Sequence, residues 1–109
     1  AGGRATPVAV DVANATAVRT LFNDPNTGTV DVLINNAGLQ HVSRLEDFDP
    51  ARWQTLINVM LVGAANMMRA ALPGMRAYGH GRIVNIGSIH SLVASPYKSA
   101  YVAAKHGMI

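Results

Sequence analysis

Short apolar runs alternate with helical patterns along the 109 residues of the chain. The runs at residues 8–12, 30–34 and 82–86 are rich in β-branched residues, which predicts three strands. The run at 30–34 is almost wholly apolar, as in a parallel strand that is buried on both faces. A last helix is predicted to begin at Ser99. Strands that alternate with helices predict βαβ units and therefore a parallel α/β sheet.

Two further helices are predicted from their caps and their spacing. Asn14 or Thr16 could cap the first of them. Asp49 and Pro50 predict the start of a long second helix, because Asp is favoured at the N-cap and Pro at the first helical position. We expect it to weaken at Pro73 and to end by the Gly-His-Gly loop. Its apolar stripe has a period near 3.6 residues and comprises Trp53, Leu56, Ile57, Met60, Leu61, Ala64, Ala65, Met68 and Leu72.

The composition fits a globular protein with an apolar core, since 50% of residues are hydrophobic and only 14% are charged. The net charge is +3, but the basic residues are spread singly and only 6% of residues are aromatic, which argues against nucleic-acid binding. There is no cysteine, and hence neither a disulfide framework nor a thiolate zinc site. No uninterrupted apolar run approaches the roughly 20 residues of a membrane span, so we expect no membrane partner.

The first residues, Ala1 to Arg4, lack an initiator Met and the apolar stretch of a signal peptide. We therefore interpret the beginning of the chain as a cut end. With no targeting signal and no cysteine, we expect a cytoplasmic protein.

The candidate catalytic and binding residues are those at the ends of the predicted strands, because ligands of open parallel sheets bind outside the carboxyl ends of the strands. Asp11-Val12, residues 35–38 and Ser88 occupy those positions. Downstream, Tyr101 and Lys105 are four residues apart and share a helix face.

These side chains could interconvert an alcohol and a carbonyl. A free tyrosine ionises near pH 10, and an adjacent ammonium stabilises its phenolate. Tyr101 could then move a proton while Ser88 hydrogen-bonds the substrate oxygen. The alternative is that Tyr101 packs, Lys105 is solvated and Ser88 caps a strand. If only the Tyr-x-x-x-Lys pair is considered, the structural interpretation is preferred, because such pairs arise easily by chance.

The combination of motifs is more specific and resembles the short-chain dehydrogenase/reductase family. Residues 35–38 read Asn-Asn-Ala-Gly, the NNAG motif of that family, and Ser88 precedes Tyr101 by thirteen residues, the usual spacing. Asp11-Val12 matches the acidic position that contacts the adenine ring. The resemblance implies an α/β fold, part of a Rossmann-like doubly wound parallel sheet. Residues 1–109 would be the central fragment of a single domain, without its first two strands and its C-terminal part.

The resemblance also implies roles for individual residues and NAD as the cofactor. Tyr101 would be the proton donor and acceptor. Lys105 would favour its phenolate and hold the nicotinamide ribose, while Ser88 steadies the reacting oxygen. Asn36 would lie along the cofactor, and Ala37-Gly38 would allow the backbone to approach it closely.

The substrate half is similar to the bacterial members of the family that oxidise D-3-hydroxybutyrate to acetoacetate with NAD. In those enzymes the residues at the positions of Gln40, His90 and Lys98 hold the substrate carboxylate, beside Ser88 and Tyr101. A small anion needs a cation and neutral donors, which this set supplies, although each residue alone would more often be a loop residue. We expect His41 and His106 to be structural or exposed. The spacing of the four histidines in the chain predicts no metal site.

One position departs from the family pattern. The family usually has a catalytic Asn seven residues after the helix Trp, and counting from Trp53 this position is Met60. Asn58 is about 200° away around the helix and cannot substitute for it. In the family this Asn helps to kink the helix, so that a main-chain carbonyl holds a water beside the Lys. Our hypothesis is that the proton relay survives, weakened or supported by water. The alternative is that Met60 is simply a core residue of the apolar stripe.

Other interpretations stay open. The chain has no Gly-rich phosphate loop between a strand and a helix, since the Gly-His-Gly at 79–81 precedes a strand. The full protein could be another member of the family, acting on a different alcohol or ketone, or a non-catalytic relative. By resemblance we expect a homo-oligomer, a tetramer, formed through the helices at 49–78 and from 99 onward.

Without the missing strands, we expect residues 1–109 alone to be inactive, to lack a cooperative thermal transition and not to bind NAD, because sheet edges and apolar faces would stay open. Calorimetry of the isolated 109 residues with and without NAD measures this. A sharp transition that shifts on adding NAD would contradict it.

Overall fold

The computed structural model describes residues 2–109 and confirms a parallel α/β arrangement. Its elements in chain order are helix α1 (Ala15–Asn23), strand β1 (Val32–Asn35), helix α2 (Pro50–Ile57), a π-helical segment (Asn58–Val62), helix α3 (Gly63–Tyr78), strand β2 (Arg82–Asn85) and helix α4 (Ser99–Met108). Helix α2, the π-helical segment and α3 are continuous, and we call them together the central helix. Two short 3-10 turns, Leu45–Asp47 and Ile89–Ser91, lie in the loops.

The two strands pair in parallel, from Val32 opposite Arg82 to Asn35 opposite Asn85. The predicted strands at 30–34 and 82–86 are therefore confirmed, with small shifts of their ends. The buried residues of β1 alternate with exposed ones, because α3 packs on one face of the sheet. The apolar side chains on the other face are exposed, Ile34 by 58%.

The predicted strand at residues 8–12 is wrong. These residues form no strand, and Val8 is 57% exposed. A β-branched run sets only a local preference, whereas a strand also needs a paired neighbour, and the sheet described for residues 2–109 has only two strands. The segment is instead attached at its last residue, since the Val12 carbonyl accepts a hydrogen bond of 3.0 Å from Nδ2 of buried Asn66.

The helix ends follow the capping residues. Asn14, rather than Thr16, caps α1 through its side-chain oxygen. Asp49 caps the central helix, which begins at Pro50. The helix continues through Pro73 and ends at Tyr78, and Gly79 caps it with a φ of 69°, the left-handed conformation that favours glycine.

The central helix packs in two apolar clusters. Its first part lies against α4, in a cluster of Phe48, Leu56, Met60, Ala100 and Ala104. Its second part lies against the sheet, in a cluster of Leu33, Ala71 and Met75. The π-helical segment lies where the helix passes from the first cluster to the second.

The central helix is also long and apolar enough to cross a membrane, judged by length and composition alone. It has 29 residues and a mean hydropathy of 1.4 over its most apolar 18-residue window. One such helix is weak evidence, because core helices of globular proteins satisfy the same criterion. Here the helix packs against α1, α4 and β1.

Gly63→Ala in the full-length protein is expected to lower the free energy of unfolding by about 1–3 kcal/mol, the usual cost of overpacking. The added Cβ would lie 2.6 Å from Cγ2 of Val12. Gly74→Ala is the matched control in the same helix, because nothing lies within 4 Å of its added Cβ. It should raise stability by about 0.5–1 kcal/mol. Urea unfolding measures both, and equal responses would show that Val12 does not pack on Gly63.

Candidate active site

The carboxyl ends of the two strands are joined by side chains as well as by the backbone. Asn35 is buried, and its Nδ2 donates a hydrogen bond of 2.8 Å to Oδ1 of Asn85. The ladder extends one residue further, because the Ile86 amide donates to the Asn35 carbonyl at 3.0 Å. This pairing fixes the two segments that follow, where Asn36 and Ser88 lie.

Lys105 reaches this edge of the sheet from α4. Its ammonium Nζ donates to the Ile86 carbonyl at 2.7 Å, and the residue is only 5% exposed. The same Nζ lies 5.7 Å from the ring centroid of Tyr101, one helical turn earlier. The structure therefore brings the predicted Tyr–Lys pair together. Lys105 is therefore not solvated, contrary to the alternative left open from the sequence.

Ser88 begins a tight turn after β2. Its Oγ accepts from the His90 amide at 3.2 Å, and its own amide donates to Oγ of Ser91 at 3.1 Å. The hydroxyl of Ser88 thus uses a lone pair as the cap of the turn. Its O–H stays available as a donor to another oxygen.

His90 packs beside the tyrosine. The two rings form an edge-to-face pair with centroids 5.9 Å apart. Nδ1 of His90 lies 3.1 Å from the Val93 carbonyl, and because a carbonyl only accepts, this nitrogen carries the proton. Nε2 is then the ring atom left for a ligand.

The NNAG residues that follow β1 are exposed from Asn36 to Gly38. Behind them lies a small cavity of about 60 Å³, lined mainly by apolar side chains that include Met60, Met67 and Met108. Met60 itself is 1% exposed, which agrees with a core position. It lies within the π-helical segment, so the helix is distorted at this point although the Asn of the family is replaced.

Asp11 and Val12 lie in the turn before α1. Oδ1 of Asp11 accepts from the Ala13 amide at 2.9 Å, and the side chain is exposed. Val12 is half-buried and also borders the small cavity beside Asn36. The two groups of residues expected to bind the cofactor are thus neighbours.

The residues predicted to bind the substrate do not line one common cavity. Gln40 is exposed, and its Oε1 accepts from the amide of His41 at 3.0 Å. It lines a cavity of about 410 Å³ with Arg52 and Asp49, rather than with His90 or Lys98. Lys98 is half-buried at the start of α4.

The two histidines expected to be structural or exposed behave so. His41 packs edge-to-face on Phe48 at 5.1 Å, and its Nδ1 accepts from Arg52 at 3.3 Å. His106 is exposed. Within residues 2–109 no group of three His, Asp or Glu residues could hold a metal ion.

Sequence reasoning missed two residues of the site region. Ser91 is buried and orients Ser88, and the Ser-x-x-Ser spacing of a capping box could have revealed it. Tyr97 has a positive φ of 63°, and its position after Pro96 in a turn was the available signal.

Parallel strands joined by a helix, with polar and small residues after their carboxyl ends, define a Rossmann-type α/β unit. The sequence matches the family model of the short chain dehydrogenases over residues 1–109, and the chain belongs to this family.

Two curated relatives are D-beta-hydroxybutyrate dehydrogenases. The protein from Cupriavidus necator is 55% identical over 82 residues, and that from Rhizobium meliloti is 52% identical over 82 residues. Each match covers 75% of this chain and 32% of the relative. The chain thus spans about a third of the length of these relatives.

A solved structure is similar over most of the chain. It is a gluconate 5-dehydrogenase from Burkholderia cenocepacia in complex with NADP and tartrate. It is 38% identical with a TM-score of 0.85, and the match covers 90% of this chain and 39% of that one.

Met60→Asn in the full-length protein should lower stability by about 1–3 kcal/mol, because an amide would replace the thioether in an apolar cluster. We expect kcat to change less than about tenfold, since the helix is already distorted with Met60 in place. Met60→Leu is the control and should keep both values close to those of the parent. A rise in kcat above tenfold for Met60→Asn would show that Met60 weakens proton transfer.

Proposed function

We propose that the full-length protein oxidises D-3-hydroxybutyrate to acetoacetate with NAD, by means of Ser88, Tyr101 and Lys105. The observation that carries the proposal is the buried ammonium of Lys105, anchored on the Ile86 carbonyl and placed beside the Tyr101 ring. Burying an ammonium costs desolvation free energy, and the retention of Lys105 in a buried position beside Tyr101 supports a role of the pair in the reaction.

Tyr101 takes the proton of the substrate hydroxyl. Lys105 stabilises the phenolate that receives it. Ser88 donates its free O–H to the substrate oxygen, while its lone pair caps the turn at His90. Proton transfer by a positioned side chain of this kind contributes about 10²–10⁴-fold to the rate.

The residues after β1 fit a bound nicotinamide cofactor. Asn36 to Gly38 are exposed, which leaves their backbone open to a ligand. NAD, when bound there, supplies the acceptor for the hydride from the substrate carbon. Asn36 and Lys105 would hold its nicotinamide end, and Asp11 and Val12 its adenine end.

The substrate carboxylate is assigned to Gln40, His90 and Lys98, which we call the carboxylate clamp. The high identity to the two D-beta-hydroxybutyrate dehydrogenases supports this assignment. Lys98 supplies the cation, and the free amide N–H groups of Gln40 supply neutral donors. Closure of the clamp requires Gln40 to turn from its own cavity toward Lys98.

A second candidate is a related enzyme that acts on a longer hydroxy acid with NADP. The similarity to the gluconate 5-dehydrogenase in complex with NADP and tartrate favours it. The separate cavity at Gln40, about 410 Å³, would give a longer substrate room. Comparing hydroxybutyrate with gluconate, each with NAD and with NADP, distinguishes the two.

We also propose that the full-length protein is a homo-oligomer, a tetramer, formed through the central helix and α4. Exposed apolar residues on the central helix, Val62 and Tyr78, support a contact there. Sedimentation of the full-length protein measures its oligomeric state.

The first test is NADH formation by the full-length protein with D-3-hydroxybutyrate, with the L enantiomer as the control. We expect turnover of the D form alone. Lys98→Met should raise KM for this acid about tenfold or more, because the cation of the clamp is lost. No turnover of the acid, with turnover of uncharged alcohols, would contradict the substrate while leaving the family unchanged.

Tyr101→Phe should lower kcat by about 10²–10⁴-fold, because the acid–base group is lost while the ring is kept. The matched control is Tyr78→Phe, which removes a hydroxyl from a tyrosine that is 70% exposed at the end of α3. Steady-state kinetics measures both variants. A Tyr101→Phe variant with kcat near that of the parent would exclude Tyr101 as the acid–base group.

A further inference from the structure

Tyr97 has an unusual backbone conformation. Its φ is 63°, and between residues 2 and 109 it is the only non-glycine residue with a positive φ. It follows Pro96 in a turn, as in a type II turn, where glycine is usual at this position. Its side chain is 53% exposed, so burial of the ring does not account for this conformation, and we consider the backbone contacts of Tyr97 instead.

The left-handed residue joins two loops. The Tyr97 carbonyl accepts a hydrogen bond of 2.9 Å from the amide of Ser43. Ser43 lies three residues after Gln40, in the loop that follows β1. The loop that carries Lys98 is therefore tied to the loop that carries Gln40.

Lys98 is fixed from its other side as well. Oγ of Ser99 accepts a hydrogen bond of 3.0 Å from Nε1 of Trp53 on α2. The Lys98 carbonyl accepts from Val102 at 2.8 Å and so begins α4. The residues before and after Lys98 are thus both tied to elements outside its own loop.

We propose that Tyr97 is a positioning residue for the carboxylate clamp. Its left-handed backbone aims the Tyr97 carbonyl at Ser43, and this bond sets Lys98 relative to Gln40. A strained conformation persists where the surroundings over-determine it, and such residues cluster at ligand sites. The inference rests on the proposed function, because it assigns Lys98 and Gln40 to the substrate carboxylate.

A negative φ at residue 97 would rotate the following peptide. The Tyr97 carbonyl would then leave Ser43, and Lys98 would turn with it. The expected consequence is a weaker grip on a carboxylate, with little effect on the cofactor. Residues that tolerate the left-handed region should keep the arrangement whatever their side chain.

The test is a series of variants of the full-length protein: Tyr97→Gly, Tyr97→Asn, Tyr97→Phe and Tyr97→Val. Gly and Asn tolerate a positive φ, Phe keeps the ring without the hydroxyl, and β-branched Val disfavours a positive φ. We expect KM for D-3-hydroxybutyrate to rise about tenfold or more in Tyr97→Val and to stay within about twofold in the others. KM for NAD, and KM for the methyl ester of the substrate, should not change.

Trp53→Phe removes the second tether and should raise KM for the acid in the same direction. An equal rise in KM for the acid and its ester in Tyr97→Val would overturn the proposal, since an effect on the clamp requires a carboxylate. A loss of affinity in Tyr97→Phe as large as that in Tyr97→Val would also overturn it, because the side chain would then be responsible.

Hydrogen exchange of the Ser43 amide separates this inference from the proposed function. Exchange should be faster in Tyr97→Val than in the parent and unchanged in Tyr97→Gly. If the full-length protein oxidises neither the acid nor the ester, the proposed function and the role proposed for Lys98 are contradicted. The exchange rates would still show whether Tyr97 ties the two loops, and unchanged exchange in Tyr97→Val would contradict the tie itself.

Discussion

The parallel pairing of β1 with β2 is the constraint on which the rest of the structure depends. A hairpin cannot make a parallel pair, so the chain must cross between the strands, and the central helix is that crossing. The pairing places Asn36 and Ser88 at one edge of the sheet. It also presents the Ile86 carbonyl to Lys105, because the ladder continues to that residue.

Sequence reasoning succeeded where the signal was local. The Asp49-Pro50 cap, the NNAG motif and the Tyr–Lys spacing each depend on a few neighbouring residues, and the structure places them as expected for the fold. It failed at residues 8–12, because a strand is defined by a partner that no local pattern names. The bond between Ser43 and Tyr97 joins loops more than 50 residues apart, and no spacing rule predicts it.

The candidate site combines a rigid part with an adaptable part. The rigid part is buried Lys105, whose Nζ donates to the Ile86 carbonyl and lies 5.7 Å from the ring centroid of Tyr101. The adaptable part is the exposed Gln40, whose amide is held only by its own backbone neighbour. In the function that we propose, the reacting groups are fixed before the substrate arrives, and Gln40 is the member of the carboxylate clamp that must move.

The π-helical segment adds one residue to a turn of the central helix, and this extra residue has a consequence for how the chain can vary in length. The π-helical turn absorbs this extra residue, so deleting one residue there would restore ordinary helical geometry and leave Ala71 and Met75 facing Leu33 and the sheet. A deletion within α2 or α3, where no wider turn compensates, would instead rotate the residues beyond it by about 100°. The central helix can therefore lose a residue in the π-helical segment with less disturbance of its packing than elsewhere along its length.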